Sequence, residues 1–398
     1  LTLLFLANRF PYPPHRGDKL KIYNLAKRLS ANHRLILVTF TETKEDLAHI
    51  HALDGIFDKV VSVHLPAYKS FLSVLMGFFS GIPFQVLYFR DRRLRKVLRE
   101  VINSEKPDAV HVQHLRMSQY INELKDVPAI IDLPDAFSLY WERRVQNAPQ
   151  WFQRVFAKWE LSRVVSYEKK LAFYQRCFVC SEEDKLHLER LHGLKNLYVF
   201  PNGVDLDTFS IVSNEKDYAS NEILLFTGNM NYAPNVDAVI YFTQVIFPII
   251  LERHPSVRFV IAGQKPLPSV VALASDKVEV TGFVEDIAIY YKDASVVVAP
   301  LRFGAGTQNK VLEALAMGVP VVCTAIGFEG LGIKSGQGAF KEIEALAFAN
   351  RVCELLDSAA LREKTGKEGM QIIRTRFDWN VLSQQLENHF KDIVSEKY

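Results

Sequence analysis

Cysteine is scarce in this chain: four in 398 residues, Cys177, Cys180, Cys323 and Cys353. That excludes the disulfide framework that small secreted domains use. Cys177-Phe-Val-Cys180 has CxxC spacing, but no second pair accompanies it, and it lies in an apolar strand-like run rather than at a helix start. Plain core cysteines are expected. Charge of one sign is lacking too. The 48 Lys and Arg face 45 Asp and Glu, and the net charge of +3 makes no case for nucleic acid as a partner. No long apolar run goes unbroken. Ser70 to Phe89 carries no charge over a length that nominally spans a bilayer, yet Gly77, Gly81 and Pro83 interrupt it and Gln85 sits inside it. A short apolar helix, a turn and a following segment are expected there, lying on a membrane surface or simply packed, with a span the least expected of the three. No signal peptide is visible in a sequence that starts at Leu1 without methionine, so a cytoplasmic setting is expected.

What the chain does have is an αβ grammar, used twice. At 48% hydrophobic and 23% charged residues it is of globular composition, and its length suits two domains of roughly 150–200 residues. Leu1 to Ala7 is an apolar run that enters Pro-rich punctuation. Leu20, Tyr23, Leu25, Ala26 and Leu29 follow with helical spacing, and Arg34 to Phe40 is a second apolar strand. Strand, glycine-containing loop, helix and strand within about 40 residues form a βαβ unit and imply a parallel sheet. Further strands are expected at Lys59–His64, Asp108–Val112, Ala129–Asp132, Cys177–Ser181 and Leu197–Phe200. After a polar bridge, Ser210 to Asn221, a second series runs through Ile223–Thr227, Val257–Ala262, Val278–Thr281, Ser295–Ala299 and Val319–Thr324. The expected division is a first domain at 1–205, a second at 206–375 and an amphipathic C-terminal helix at 376–398.

The strongest candidate for chemistry is Leu301 to Gly318, LRFGAGTQNKVLEALAMG. A strand leads into a loop with Gly304 and Gly306, and Thr307 is placed to cap a helix running from Gln308 to Met317. Unpaired N–H groups of a first turn, the positive end of the helix dipole and the close approach that glycine allows together suit a diphosphate. Arg302 and Lys310 add positive charge. Glu313, three residues beyond Lys310 on the same face, suits a sugar or ribose diol, which offers two hydroxyl donors. The same residues also fit an ordinary Gly-rich loop with a Lys310–Glu313 surface pair.

Seven segments, taken in order, resemble family-4 retaining glycosyltransferases, a large group of GT-B fold. They are FPYPPHRGDK, PNGVDLDTF, ILLFTGNM, RFVIAGQKP, VEVTGFVEDIAIYYKDASVVVAPL, GTQNKVLEALAMGVPVV and the tail FDW. The opening PYPPxxGDK and the loop GNMxYxPN narrow the resemblance to exopolysaccharide-associated sugar transferases. The resemblance implies two Rossmann-like domains with a cleft between them, the second binding a nucleotide sugar and the first an acceptor, with the last helix crossing back to the first domain. It implies transfer from a UDP-, GDP- or similar donor with retention of configuration and no obligatory metal or other cofactor. Glu313 matches the second glutamate of the family's Glu-x7-Glu motif, the ribose ligand, whereas the first would fall at Ala305 and is absent. The basic pair that many members carry would fall near Asn229 and Pro234 and is also absent, which leaves Arg302 and Lys310 as the nearest cations. Gly17 matches the glycine loop facing the donor phosphate, and Gly282, Phe283 and Val284 match the segment that reads the base. Gly306 and Thr307 complete the donor set.

On the acceptor side, His111 and His114 read as residues just past a strand, where ligands gather in parallel sheets; satisfied loop histidines fit equally. Asp132 and Asp135 follow the next strand. Asp135 can orient or deprotonate an acceptor hydroxyl, or form an Asx turn beside Pro134. Asp135 and His114 are the catalytic candidates. The basic run Arg90–Arg99 and the aromatic-basic stretches Trp141–Arg144 and Trp151–Trp159 suggest peripheral contact with an anionic membrane at the inner face of the plasma membrane, reaching a glycan or lipid-linked acceptor. Solvated helix faces over aromatic cores fit them as well. Two other functions stay open: a two-lobed small-ligand binding protein and a GT-B sugar-nucleotide epimerase.

Overall fold

Seven apolar runs pair into one parallel sheet and six into another. The structure is a computed structural model, and it describes residues 1–14, 17–43, 46, 48–148, 150–210, 218, 222–304 and 306–396. Most of the polar bridge at 210–221 and the motif positions His15, Arg16 and Ala305 lie outside the described residues. The chain divides into two units, Leu1–Asn202 together with Trp379–Tyr398, and Gly203–Asp378.

In the first unit the strands are β1 (Thr2–Ala7), β2 (Arg34–Thr41), β3 (Lys59–His64), β4 (Ala109–Gln113), β5 (Ala129–Asp132), β6 (Arg176–Val179) and β7 (Leu197–Val199). Their order is β3-β2-β1-β4-β5-β6-β7. Side chains alternate across the sheet with a period of two. Leu4 and Leu6 of β1 join one apolar layer, and Leu3, Phe5 and Ala7 join the other. The Trp379–Ser395 helix belongs to this unit. Its Trp379, Leu382, Leu386, Phe390 and Ile393 form one stripe and pack among Leu3, Phe5, Leu35 and Phe178. Each such burial contributes roughly 1.5–3 kcal/mol, so the chain's last helix is part of the first unit's core.

The second sheet is β10 (Val278–Gly282), β9 (Arg258–Ala262), β8 (Ile223–Thr227), β11 (Val296–Ala299), β12 (Val321–Cys323) and β13 (Ala339–Lys341), in that spatial order. Counted along the chain this is 3-2-1-4-5-6, the doubly wound arrangement of dinucleotide-binding folds. β13 is absent from the sequence reading: three residues preceded by Gly336 and Gly338 leave no readable period. Residues Ala233–Arg253 are long and apolar enough to suit a membrane span by composition, with mean hydropathy 1.5. They are instead a core helix, with Ala238, Val239, Phe242, Ile246, Phe247 and Ile250 buried in the second unit. A π-turn at Phe242–Ile246 lies just ahead of Pro248, which has no N–H to donate to the carbonyl four residues back and whose ring crowds that carbonyl.

The uncharged run at residues 70–89 resolves into a helix, Ala67–Met76, and a short one, Phe84–Tyr88, on either side of a turn through Gly81. All four cysteines are buried and free. Burial raises the Cys180 thiol to about 12, which makes it inert at neutral pH.

The loops after β8 and β9 touch through glycine. A Cβ on Gly263 would stand 1.7 Å from the Gly228 carbonyl oxygen, and φ there is +151°. Gly263→Ala is therefore expected to destabilise the second unit by roughly 3–5 kcal/mol or to block folding, read from the denaturation midpoint. A change under 1 kcal/mol would show that the close approach is not required.

Candidate active site

The second sheet reverses its winding between β8 and β11, and ligands of open parallel sheets bind beyond the carboxyl ends of strands at such a point. Two loops begin there. One leaves β8 through Gly228, Asn229 and Met230 and enters the Ala233–Tyr241 helix. The other leaves β11 through Pro300 and enters the Asn309–Ala316 helix. The loops after β8, β9 and β10 are stitched together by backbone bonds: Gly228 N–H to Ala262 O (3.1 Å), Met230 N–H to Gln264 O (2.9 Å) and Gly263 N–H to Gly282 O (3.1 Å).

Lys310 is the centre of the arrangement. It is buried in the first turn of its helix, its Nζ donates to Asn235 Oδ1 at 2.8 Å, and it lies 4.7 Å from the Phe226 ring centroid. Asn235 in turn donates from Nδ2 to the Asn229 carbonyl at 3.0 Å. Gly228 permits this, since a Cβ there would meet Asn235 Nδ2 at 2.6 Å. The loop after β8 thus holds the cation of the loop after β11. Burial lowers the Lys310 ammonium to about 8, against the opposing pull of Glu313.

Glu313 sits one turn on, partly buried. Its Oε2 accepts from the Tyr291 hydroxyl at 2.8 Å, and that hydroxyl also lies 2.6 Å from Thr227 Oγ1 and 3.3 Å from the Lys310 carbonyl. Burial raises the Glu313 carboxyl above its usual range, opposed by Tyr291 and Lys310. Tyr291, Thr227 and Asn235 lie in segments noted in the sequence but are not among the site candidates named there. They reach the site from three other elements, so no local spacing announces them.

The remaining donor candidates are distributed as follows. Gly304 and Gly306 have φ of +140° and +75°, conformations that favour glycine. Thr307 is buried, but Gln308, not Thr307, stands at the N-cap, and its side chain makes no cap bond. The helix starts one residue later than expected because Gln308 remains in extended backbone, with ψ of 107°. Arg302 is exposed and forms a two-point ion pair with Asp237, with its Nε 2.8 Å from Oδ2, over the Tyr241 ring. It is committed to the Ala233–Tyr241 helix. Gly282 (φ +71°) ends β10, two strands from β8; Phe283 and Val284 follow it, and the Phe283 ring is exposed.

In the first unit Gly17 opens the Gly17–Leu29 helix after β1. His111 lies inside β4 rather than past it. It is fully buried against Phe5 at 5.1 Å, because this strand is covered on both faces. Asp132 ends β5 and forms a buried ion pair with Lys21 at 2.7 Å; His111 Nε2 is 3.5 Å away, too long for a good hydrogen bond. Burial alone would raise the Asp132 carboxyl, but Lys21 and His111 outweigh it and hold it below the usual range. His114 follows β4 at φ 76°, with Nδ1 accepting from Arg116 N–H at 3.4 Å and the ring against Phe137. Burial drives its pKa well down, which favours the neutral imidazole. Asp135 is partly buried in the turn before Phe137, beside Ala136, whose N–H donates to Asp184 Oδ1 at 3.0 Å. Among the described residues, no group of three or more His, Cys, Asp or Glu side chains converges as a metal site would require.

Comparisons with known proteins bear on the family and the fold. The family model described as "Glycosyltransferase Family 4" matches residues 22–208, and that described as "Glycosyl transferases group 1" matches residues 221–358. The chain belongs to the family-4 glycosyltransferases. An uncharacterized 44.6 kDa protein in the cps region of Klebsiella pneumoniae is 21% identical over 94% of this chain and 96% of its own length. The capsular polysaccharide biosynthesis glycosyltransferase CapM of Staphylococcus aureus is 22% identical over 49% of this chain and 54% of its own. Among solved structures, sucrose-phosphate synthase from Thermosynechococcus elongatus has a TM-score of 0.71 at 14% identity, covering 99% of both chains. HepE of Anabaena, solved in complex with UDP, has a TM-score of 0.68 at 14% identity over 98% of this chain and 100% of its own. The fold is GT-B and the chain is a glycosyltransferase.

A contact between Lys310 and a donor diphosphate would carry a pH signature. A diphosphate is bound best by the ammonium form, which predominates below about 8. Nucleoside diphosphate affinity is therefore expected to be full below that pH and to fall as pH rises through it. Replacing Lys310 with Met should flatten this limb in calorimetric titrations from pH 6.5 to 9.5. An unchanged limb in the variant would assign it to another group.

Proposed function

We propose that this enzyme moves a sugar from a UDP- or GDP-linked donor, with retention at the anomeric carbon, to a polysaccharide-precursor or lipid-linked acceptor. The observation that carries the proposal is the Lys310–Glu313 pair on one helix at the sheet's switch point, each held by a partner from another element. Leaving diphosphate gathers negative charge as the sugar–phosphate bond breaks. The first-turn N–H groups and Lys310 stabilise that charge more than they stabilise the ground state. Glu313 accepts from the ribose hydroxyls and fixes where the diphosphate lies. In this reading the acceptor hydroxyl attacks on the face the phosphate leaves, and a departing phosphate oxygen takes its proton. Asp135 orients the acceptor and His114 donates from Nε2 to a sugar oxygen. No metal is assigned. Four free buried thiols fit a reducing, cytoplasmic setting.

UDP comes first among the bases because the Anabaena neighbour HepE was solved with UDP and with UDP-glucose. A thermal-shift panel of UDP-, GDP-, ADP- and dTDP-sugars tests the donor, since stabilisation grows with ligand concentration over Kd. One nucleotide should raise Tm well above the others. No shift with any of them at millimolar concentration would overturn the donor assignment. Acceptor-dependent release of the nucleoside diphosphate then separates transfer from epimerisation, and a pure binder would release none.

A further inference from the structure

The first unit carries an apolar surface that the transferase chemistry leaves unused. In the Ala67–Met76 helix, Tyr68, Phe71, Leu72, Leu75 and Met76 recur at the spacing of one helix face. That face is turned outward: Phe71 is 68% exposed and Met76 81%. The following turn adds Phe78 and Phe79, the latter 94% exposed. The Trp151–Glu168 helix supplies a second outward face from Trp151, Phe152, Val155 and Phe156, with Trp151 78% exposed. The two segments are contiguous. The Phe78 ring is 4.8 Å from Trp159, and Phe84 stacks on Phe156 at 5.8 Å.

The surface is built rather than incidental. Glu160 and Arg163, both buried, pair at 3.3 Å beneath it. Glu160 accepts the Phe84 N–H at 2.8 Å, while Arg163 donates to the Gly77 carbonyl at 3.3 Å and lies 4.3 Å from the Phe84 ring centroid. The turn that exposes Phe78 and Phe79 is thus tied to the second helix by two buried charged side chains. The charge carried by these two segments is mostly of one sign. Residues 67–89 and 137–159 hold Lys69, Arg143, Arg144, Arg154 and Lys158 against a single acid, Glu142.

We propose that this surface docks on an anionic lipid bilayer, with Phe79, Met76 and Trp151 entering the boundary between headgroups and acyl chains. Exposed aromatic and aliphatic side chains rimmed by cations match an apolar interior covered by anionic headgroups. A second copy would bring two positive rims together, which opposes that arrangement. The inference goes beyond the transferase reading and does not depend on it.

The test is co-sedimentation with vesicles of phosphatidylcholine alone and of phosphatidylcholine with phosphatidylglycerol, at low and high salt. The wild type should pellet with the anionic vesicles at low salt. Partitioning should fall at least about tenfold with neutral vesicles, and likewise for the double variant Met76→Ser/Phe79→Ser. Acyl-brominated lipid should quench the wild-type tryptophan fluorescence, and less so in Trp151→Phe. The quenching stands as a measurement of its own should the double variant fold poorly. Failure of the wild type to bind anionic vesicles, absence of quenching, or equal partitioning by a double variant with unchanged Tm would each overturn the proposal. So would a lipid-free dimer that the double variant dissociates, because the occupant would then be a second copy.

Discussion

Glu313→Ala is expected to raise the Kd of the preferred nucleoside diphosphate roughly ten- to hundredfold, a loss of about 1.5–3 kcal/mol. The carboxylate uses one oxygen on Tyr291 and carries a pKa raised by burial. A ribose diol would give it two donors and return it to the charged, hydrogen-bonded state that burial opposes. The variant is also informative about folding. Tyr291 keeps Thr227 as a partner at 2.6 Å, so loss of the carboxylate need not leave the phenol unsatisfied. Glu313→Gln, which keeps the shape but offers a single carboxamide oxygen, should fall between wild type and alanine. Calorimetry on all three proteins checks this. Unchanged nucleotide affinity in the alanine variant would remove Glu313 from the ribose site.

Lys310→Ala should discriminate between the parts of the donor. Nucleoside diphosphate affinity is expected to fall about ten- to hundredfold, while nucleoside affinity changes by less than about threefold, because the ammonium meets only the phosphates. Folding has to be weighed here as well. The substitution leaves Asn235 Oδ1 without its donor in a buried setting, an unmade bond worth about 1–3 kcal/mol of stability. The ratio of the two affinities is insensitive to that cost, since both ligands bind the same folded state. Equal losses for nucleoside and diphosphate would argue against a phosphate contact.

The order of elements was legible because strands buried on both faces leave nearly continuous apolar runs, and glycine-containing loops separate them from helices of 3.6 period. The strand, glycine loop and helix around Leu301–Gly318 were legible for the same reason, with Lys310 in the first turn. Its partners were not. Asn235 is 75 residues from Lys310, and Tyr291 is 22 from Glu313. Asn235 meets Lys310 because β8 and β11 are neighbours, a fact of winding order rather than of spacing, and Tyr291 meets Glu313 because their helices flank β11. The sequence shows the charge of Arg302 and not its partner Asp237, which lies 65 residues away. His111 looked accessible because a two-sided strand gives no alternation that would mark its end. The outward apolar faces at residues 67–79 and 151–156 have the same helical period as a core stripe, and only the structure shows which way they point.

Hydrogen exchange with and without the nucleoside diphosphate selected by the thermal-shift panel tests the placement of the donor most directly. A switch-point site predicts slowed exchange in residues 228–235 and 301–316, the two loops and helix starts that Lys310 and Asn235 tie together. Protection elsewhere in the chain with none in these two segments would contradict it.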